Sequence, residues 1–333
     1  MVEFRPFSRL LRILPVTLMT AAVSLASASC GSDTETDGAA VEGDPACENL
    51  DESACMFPFP SDYFRKSGGP FGQAFHLDFG TALPVNSVND IPMSPEPFKA
   101  NDGYPIVPAI TFTLPGATLN GAPPITDIGA SQKPESKTII VDAETGERAP
   151  HWVEWDYQAK DNGKDIIQIR VANGLQHSHR YVVIVRGLVD ASGAPLPATR
   201  GFAALRDGAP TKLAGIEERR AHFENDVFPV IAKAGVARTE VQLAWDFTTS
   251  SEQNSTTRLL SMRDRLYDLI GDQGPEYSIT NVVADPDGPE GPIAKILEGV
   301  AKIPNFMLPP SSVRRTGCGW TGRGFRWRRA PPT

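Results

Sequence analysis

The sequence predicts a mainly β fold, and three observations carry that reading. Thirty prolines and twenty-nine glycines in 333 residues break the chain too often for long helices and supply many turns. Between residues 109 and 210, short apolar or alternating runs recur at intervals of roughly ten residues, with turn residues between them. Beyond them, only the stretches 217–234 and 249–270 place apolar residues at helical spacing. Together these describe an Ig-like β-sandwich with two added helices, preceded by a signal peptide and a disordered linker. Neither the buried cysteine pair nor the tryptophan partner of antibody domains is evident, so the likeness is one of architecture.

Residues 1–29 read as a signal peptide. Arg5, Arg9 and Arg12 precede an apolar run over 13–28, and the small residues Ser27, Ala28 and Ser29 lead into Cys30. The apolar core is shorter than the ~20 residues that span a bilayer. A cysteine directly after small residues resembles the bacterial lipoprotein pattern, in which Cys30 is acylated. The expectation is an exported protein, either an outer-membrane lipoprotein held through its lipid anchor or a periplasmic or extracellular one. An ordinary cleaved secretion signal is the alternative. Residues 30–46 carry Asp33, Glu35, Asp37, Glu42 and Asp44 among small residues, the composition of a disordered acidic tether.

Cys47 and Cys55 lie eight apart in an oxidising context, so a small disulfide loop is the natural reading. Two thiols without further ligands do not satisfy zinc. From there to residue 108 the chain is rich in proline and aromatics, a stiff apolar segment expected to pack on the sandwich. Strands are expected over 110–114, 137–141, 151–157, 166–171 and 181–185. Asp142 to Glu147 and Asp190 to Gly193 carry turn chemistry. Asp161-Asn162-Gly163-Lys164 is the strongest hairpin signal, because Asn-Gly accepts the positive φ of tight turns.

Residues 211–310 form a helix-strand-helix extension. Ala221, Val227, Phe228 and Ile231 mark the first helix, with Gly235 as its stop. Residues 241–248 alternate as a half-buried strand. Thr249 and Glu252 have capping-box spacing, opening a helix whose apolar side carries Leu259, Leu260, Met262, Leu266 and Leu269. Strands are expected over 277–283 and 293–306. After residue 310 the character changes: residues 311–333 hold six arginines, no lysine and no acid. That bias is what out-of-frame reading of GC-rich DNA produces.

No complete catalytic motif is present. Gly129-Ala130-Ser131 begins like a nucleophile elbow and lacks the second glycine. On a strand His177 and His179 would share one side, but they have no third ligand beside them and read as exposed turn residues ahead of Tyr181. His151, Glu154 and Asp156 read as a polar strand face rather than an acid-base dyad. Asp285-Pro286-Asp287-Gly288 lacks the spaced ligands of a calcium loop. No catalytic residue, metal or cofactor is expected, and a formal charge of -8 argues against nucleic acid as partner. Tyr63, Phe64 and Trp152 are the candidate contacts for a polysaccharide, lipid or protein ligand.

Four segments occur in a familiar order: Cys55-Met56-Phe57-Pro58-Phe59-Pro60-Ser61-Asp62-Tyr63-Phe64, Asn101-Asp102-Gly103-Tyr104, His179-Arg180-Tyr181-Val182-Val183 and Leu243-Ala244-Trp245-Asp246-Phe247-Thr248-Thr249. The series resembles the N-terminal region of large bacterial extracellular lipase-like proteins of the virulence-factor type. The resemblance covers roughly residues 47–308 and implies a β-rich, Ig-like module ahead of an α/β-hydrolase domain. In such proteins the catalytic residues lie in the later domain, so none is carried onto this chain. The function this implies is a surface-anchored, non-catalytic accessory or stalk module of a lipase-like protein, truncated before its hydrolase domain. Two other readings stay open: an active extracellular esterase with an unrecognised site, and a carbohydrate- or protein-binding surface domain.

Overall fold

The computed structural model describes residues 41–86 and 90–306. The expected signal peptide, Cys30, most of the tether and the basic tail lie outside them. The described chain is β-rich, with several small antiparallel sheets and five helices. Two short ladders come first, β1 (Arg65–Ser67) with β2 (Phe75–Leu77) and β3 (Val85–Asn86) with β4 (Ile91–Pro92). The central strands are β5 (Ala109–Phe112), β6 (Thr138–Asp142), β7 (His151–Trp155), β8 (Ile167–Val171) and β9 (Arg180–Arg186), with helix α1 (Tyr157–Asp161) between β7 and β8. Helices α2 (Arg200–Asp207), α3 (Ile216–His222) and α4 (Phe228–Lys233) lead to β10 (Val241–Thr248). Helix α5 (Glu252–Ile270) and the pair β11 (Tyr277–Ala284) and β12 (Lys295–Ala301) follow.

Two three-stranded sheets, ordered β5-β8-β7 and β10-β9-β6, hold the core. They meet where Phe112 of β5 lies 5.8 Å, centroid to centroid, from Trp245 of β10. The Trp245 indole donates to the Pro60 carbonyl at 2.8 Å, so the polar edge of the ring is satisfied inside. Helix α2 and the α3–α4 segment pack on the second sheet, joined to each other by Phe202, Phe223 and Phe228.

This packing corrects the expectation for β10. The strand does not have one wet face; every residue of Val241–Thr248 is buried. Its alternation separates an apolar side (Leu243, Trp245, Phe247) from a buried polar side (Gln242, Asp246, Thr248). The polar side survives burial because each side chain finds partners, although Asp246 meets its own only through Oδ2 and its Oδ1 is left without a hydrogen bond. Gln242 bonds the backbone of Leu188 and Leu196. Asp246 meets His222 and Arg180, and Thr248 bonds Asp62.

Other elements differ from expectation for local reasons. The helix over 217–234 is interrupted by a π turn, Phe223–Val227, directly before Pro229. Proline has no N–H to give the preceding turn, and the wider turn lets the Phe228 N–H reach the Phe223 carbonyl instead. Gly235, at φ 77°, ends it as anticipated. Strands β7 and β8 pair antiparallel, but their link is helix α1, N-capped by Asp156, rather than a tight turn. The cap of α5 is Ser251, whose hydroxyl accepts from the Asn254 N–H at 3.1 Å. Thr249 instead bonds the Gln176 carbonyl. Ordered structure starts before the cysteine loop. Glu42 exchanges backbone hydrogen bonds with Lys212 and Ala214, and its carboxylate pairs with Arg200.

Candidate functional site

Cys47 and Cys55 form a disulfide, with Cα atoms 4.4 Å apart. The loop it closes buries Glu48, Asn49, Leu50 and Asp51. Asp51 accepts from the Thr113 N–H and hydroxyl, Asn49 donates to the Ala214 carbonyl, and Glu48 pairs with Arg219 and Ser61. Helix α2 lies so close that a Cβ on Gly201 would sit 2.2 Å from the Asn49 carbonyl oxygen. The bridge thus organises a polar plug between the first sheet and the helices.

The three aromatic candidates do not form one platform. Phe64 is 2 % exposed and packs on Tyr63 and Phe79, which corrects the expectation that it meets a ligand. Tyr63 is half-buried and donates its hydroxyl to the Pro45 carbonyl. Trp152 lies on β7, half-buried, with its indole N–H on Glu154.

The histidine pair lies in a turn ahead of β9, as expected, with Ser178 at φ 59° between the two residues. Their partners diverge. His177 Nδ1 lies 3.0 Å from the Ser250 carbonyl, and His179 Nδ1 lies 2.7 Å from Asp142 Oδ2. Burial pushes the Asp142 carboxyl up, but bonds from the Thr145 N–H, His179 and the Glu144 N–H outweigh it and hold it below its ordinary value. The result is an oriented Asp–His pair whose Nε2 lies 3.7 Å from Glu144. Such a pair moves protons, yet among the described residues no hydroxyl or thiol is bonded to that nitrogen. His151 is fully buried, accepts from the Thr138 hydroxyl through Nε2 and donates to the Ala149 carbonyl. Burial lowers its pKa, which keeps it neutral. Glu154 bonds Arg170, and Asp156 bonds Gln168 while capping α1. Asp285 opens the turn between β11 and β12. Among the described residues no group of three acidic, histidine or cysteine side chains is arranged to hold a metal ion.

The densest polar cluster escaped the sequence reading. His222 places Nδ1 3.0 Å from Asp226 and Nε2 2.9 Å from Asp246, so both ring nitrogens donate to carboxylates. Its pKa is raised, first by the bond to Asp246. Asp246 is held low by His222, Arg180 and Arg219 against the opposing effect of burial. Asp62, beside it, is pushed up to about 6 by burial and then by the Asp246 charge. The only signal was the placement of polar residues at alternate positions of an otherwise apolar strand. The cluster ties β10, β9 and α3 together, with Asp246 buried at its base and His222 and Asp226 partly exposed at its rim.

What the fold leaves unsatisfied lies after β10. Helix α5 has no buried residue, and β11 and β12 are exposed along their whole length. The register puts Tyr277, Ile279, Val282 and Leu297 on one face of that hairpin. They are 70 %, 50 %, 54 % and 59 % exposed. No described helix is long and apolar enough to cross a membrane. No protein-family model matches the chain, and neither a curated protein nor a solved structure is detectably similar to it.

Proposed function

We propose that this protein is a surface-anchored, non-catalytic β-rich module, Ig-like in architecture. In this reading it is exported, held to a membrane through lipid on Cys30, and seats a hydrolase domain of the extracellular lipase type. The observation that carries the reading is the apolar face of β11–β12. A two-stranded hairpin alone in water is marginal, and this one offers four large side chains to a partner. At about 1.5–3 kcal/mol per fully buried side chain, covering surface that is 50–70 % exposed contributes on the order of 3–7 kcal/mol for the four. That is enough to make the hairpin a seat rather than a spare appendage. The choice of a hydrolase as occupant comes from the sequence resemblance.

The test has two arms. The purified protein should turn over no p-nitrophenyl butyrate above background. A hydrolase domain of that type, supplied separately, should bind it, and the double variant Val282→Asp, Leu297→Asp should lose that binding. Ester hydrolysis that persists on purification and vanishes when one of the chain's own side chains is changed would overturn the proposal.

A further inference from the structure

At the root of α5 lies a cleft of about 230 Å³, lined among others by Phe71, Gln73, Asn101, Gln253, Asn254 and Arg258. That space admits a ligand of the size of a single substituted sugar ring. Its walls are fixed. Asp102 accepts from the Ser251 N–H and hydroxyl at 3.0 and 2.6 Å. The Asn254 amide donates to the Ala100 carbonyl, and the Gln73 amide to the Lys99 carbonyl.

Beside those fixed walls, three polar side chains are uncommitted among the described residues. The side-chain amides of Asn101 and Gln253 make no hydrogen bond among the described residues. Arg258 is the one described arginine without a hydrogen bond or ion pair; all the others are tied. In a chain that pairs its guanidinium groups this thoroughly, an uncommitted one beside a cleft is a recognition group in waiting. Phe71, 36 % exposed, adds an aromatic wall.

We infer that this cleft binds an acidic sugar unit, a pyranose bearing a carboxylate. The Arg258 guanidinium matches a carboxylate with two parallel N–H donors. Planar amides donate to and accept from ring hydroxyls, and Phe71 adds apolar surface to the same lining. A neutral apolar ligand would leave the amides and guanidinium unpaired, and a lone small anion would leave the amides and the aromatic wall unused. The inference is independent of the hairpin's occupant, since the cleft and the β11–β12 face share no residue.

A titration of the purified protein followed by ligand-observed NMR decides it. Sodium D-glucuronate and sodium D-galacturonate are the probes, with D-glucose, sodium acetate and inorganic phosphate beside them. At least one uronate should bind with a Kd on the order of millimolar, about tenfold or more tighter than glucose. Arg258→Gln, on an exposed helix position, should bring the uronate down to the level of glucose, and Arg258→Lys should fall between. Gln253→Ala should weaken uronate and glucose alike. Absence of uronate binding, acetate or phosphate binding as tight as uronate, or an unchanged uronate affinity in Arg258→Gln would overturn the inference.

Discussion

Replacing Asp62 by asparagine isolates one charge in the buried cluster. Asp62 accepts from the Thr248 N–H at 2.9 Å and from the Thr248 hydroxyl at 2.5 Å. Asparagine keeps both links, accepting through Oδ1 and donating through Nδ2 to the hydroxyl oxygen. What it removes is ionisation. The Asp62 carboxyl moves from an ordinary 3.8 to about 6 in the fold, by burial first and by the Asp246 charge second. Because the folded value is raised, the folded state binds more protons than the unfolded one between these limits. Wild-type stability therefore falls as pH rises through that window. The loss is on the order of 3 kcal/mol once Asp62 is ionised in both states. Urea unfolding followed by tryptophan fluorescence, at a series of pH values from about 4 to 8, reads it directly. The stability of Asp62→Asn minus that of wild type should rise across the window and level off above it. A difference that stays flat, or that falls with pH, refutes the assignment of the strained charge to Asp62.

Three further outcomes follow from the same geometry, and a fourth from the N-terminal sequence. His222→Gln should lower Tm more at about pH 6 than at about pH 9, because a raised pKa contributes below the unfolded value of 6.5 and fades as pH passes the folded one; equal losses at both would contradict the double carboxylate contact. Gly201→Ala should cost about 1–3 kcal/mol or more in urea unfolding, since its Cβ meets backbone rather than a movable side chain. The double variant Cys47→Ser, Cys55→Ser should lose about 2–3 kcal/mol, and reductant should reproduce that loss in wild type only. Cys30→Ser should abolish incorporation of radiolabelled palmitate in a bacterial host; labelling that survives the change would refute lipidation at that position.

The regular strands were legible because their signals are local. The runs ending at Val141, Val171 and Val185 have β-branched interiors and turn residues at both ends, and the structure places strands there. Gly235 announced its helix stop by the same local logic. The cysteine pair was readable from its spacing and from the expectation of export, and the structure bridges it. Helix α2 was missed because it is short, begins on a charged residue and carries Gly201, which a propensity reading counts against a helix; it forms because Phe202 and Leu205 are drawn into the core. Pairings between distant residues leave no local trace. Asp142 meets His179, and Asp62 meets Thr248, across 37 and 186 positions. The wet face expected on β10 failed for a related reason: alternation reports two different surroundings for the two sides of a strand, and here the polar surroundings are protein.

The way the chain enters the body at Glu42 decides how the molecule would bear tension. A pull from the N-terminal side is taken first by the parallel bridge of Glu42 to Leu213 and by the two-carboxylate grip on Arg200. If those part, extension runs only as far as Cys47. There the covalent bridge to Cys55 passes the force around the plug, so Glu48, Asn49 and Asp51 stay seated while the load shifts to the segment beyond. The sulfur link acts as a mechanical fuse stop, sparing the core from a tug that a simple peptide lead would transmit straight into it.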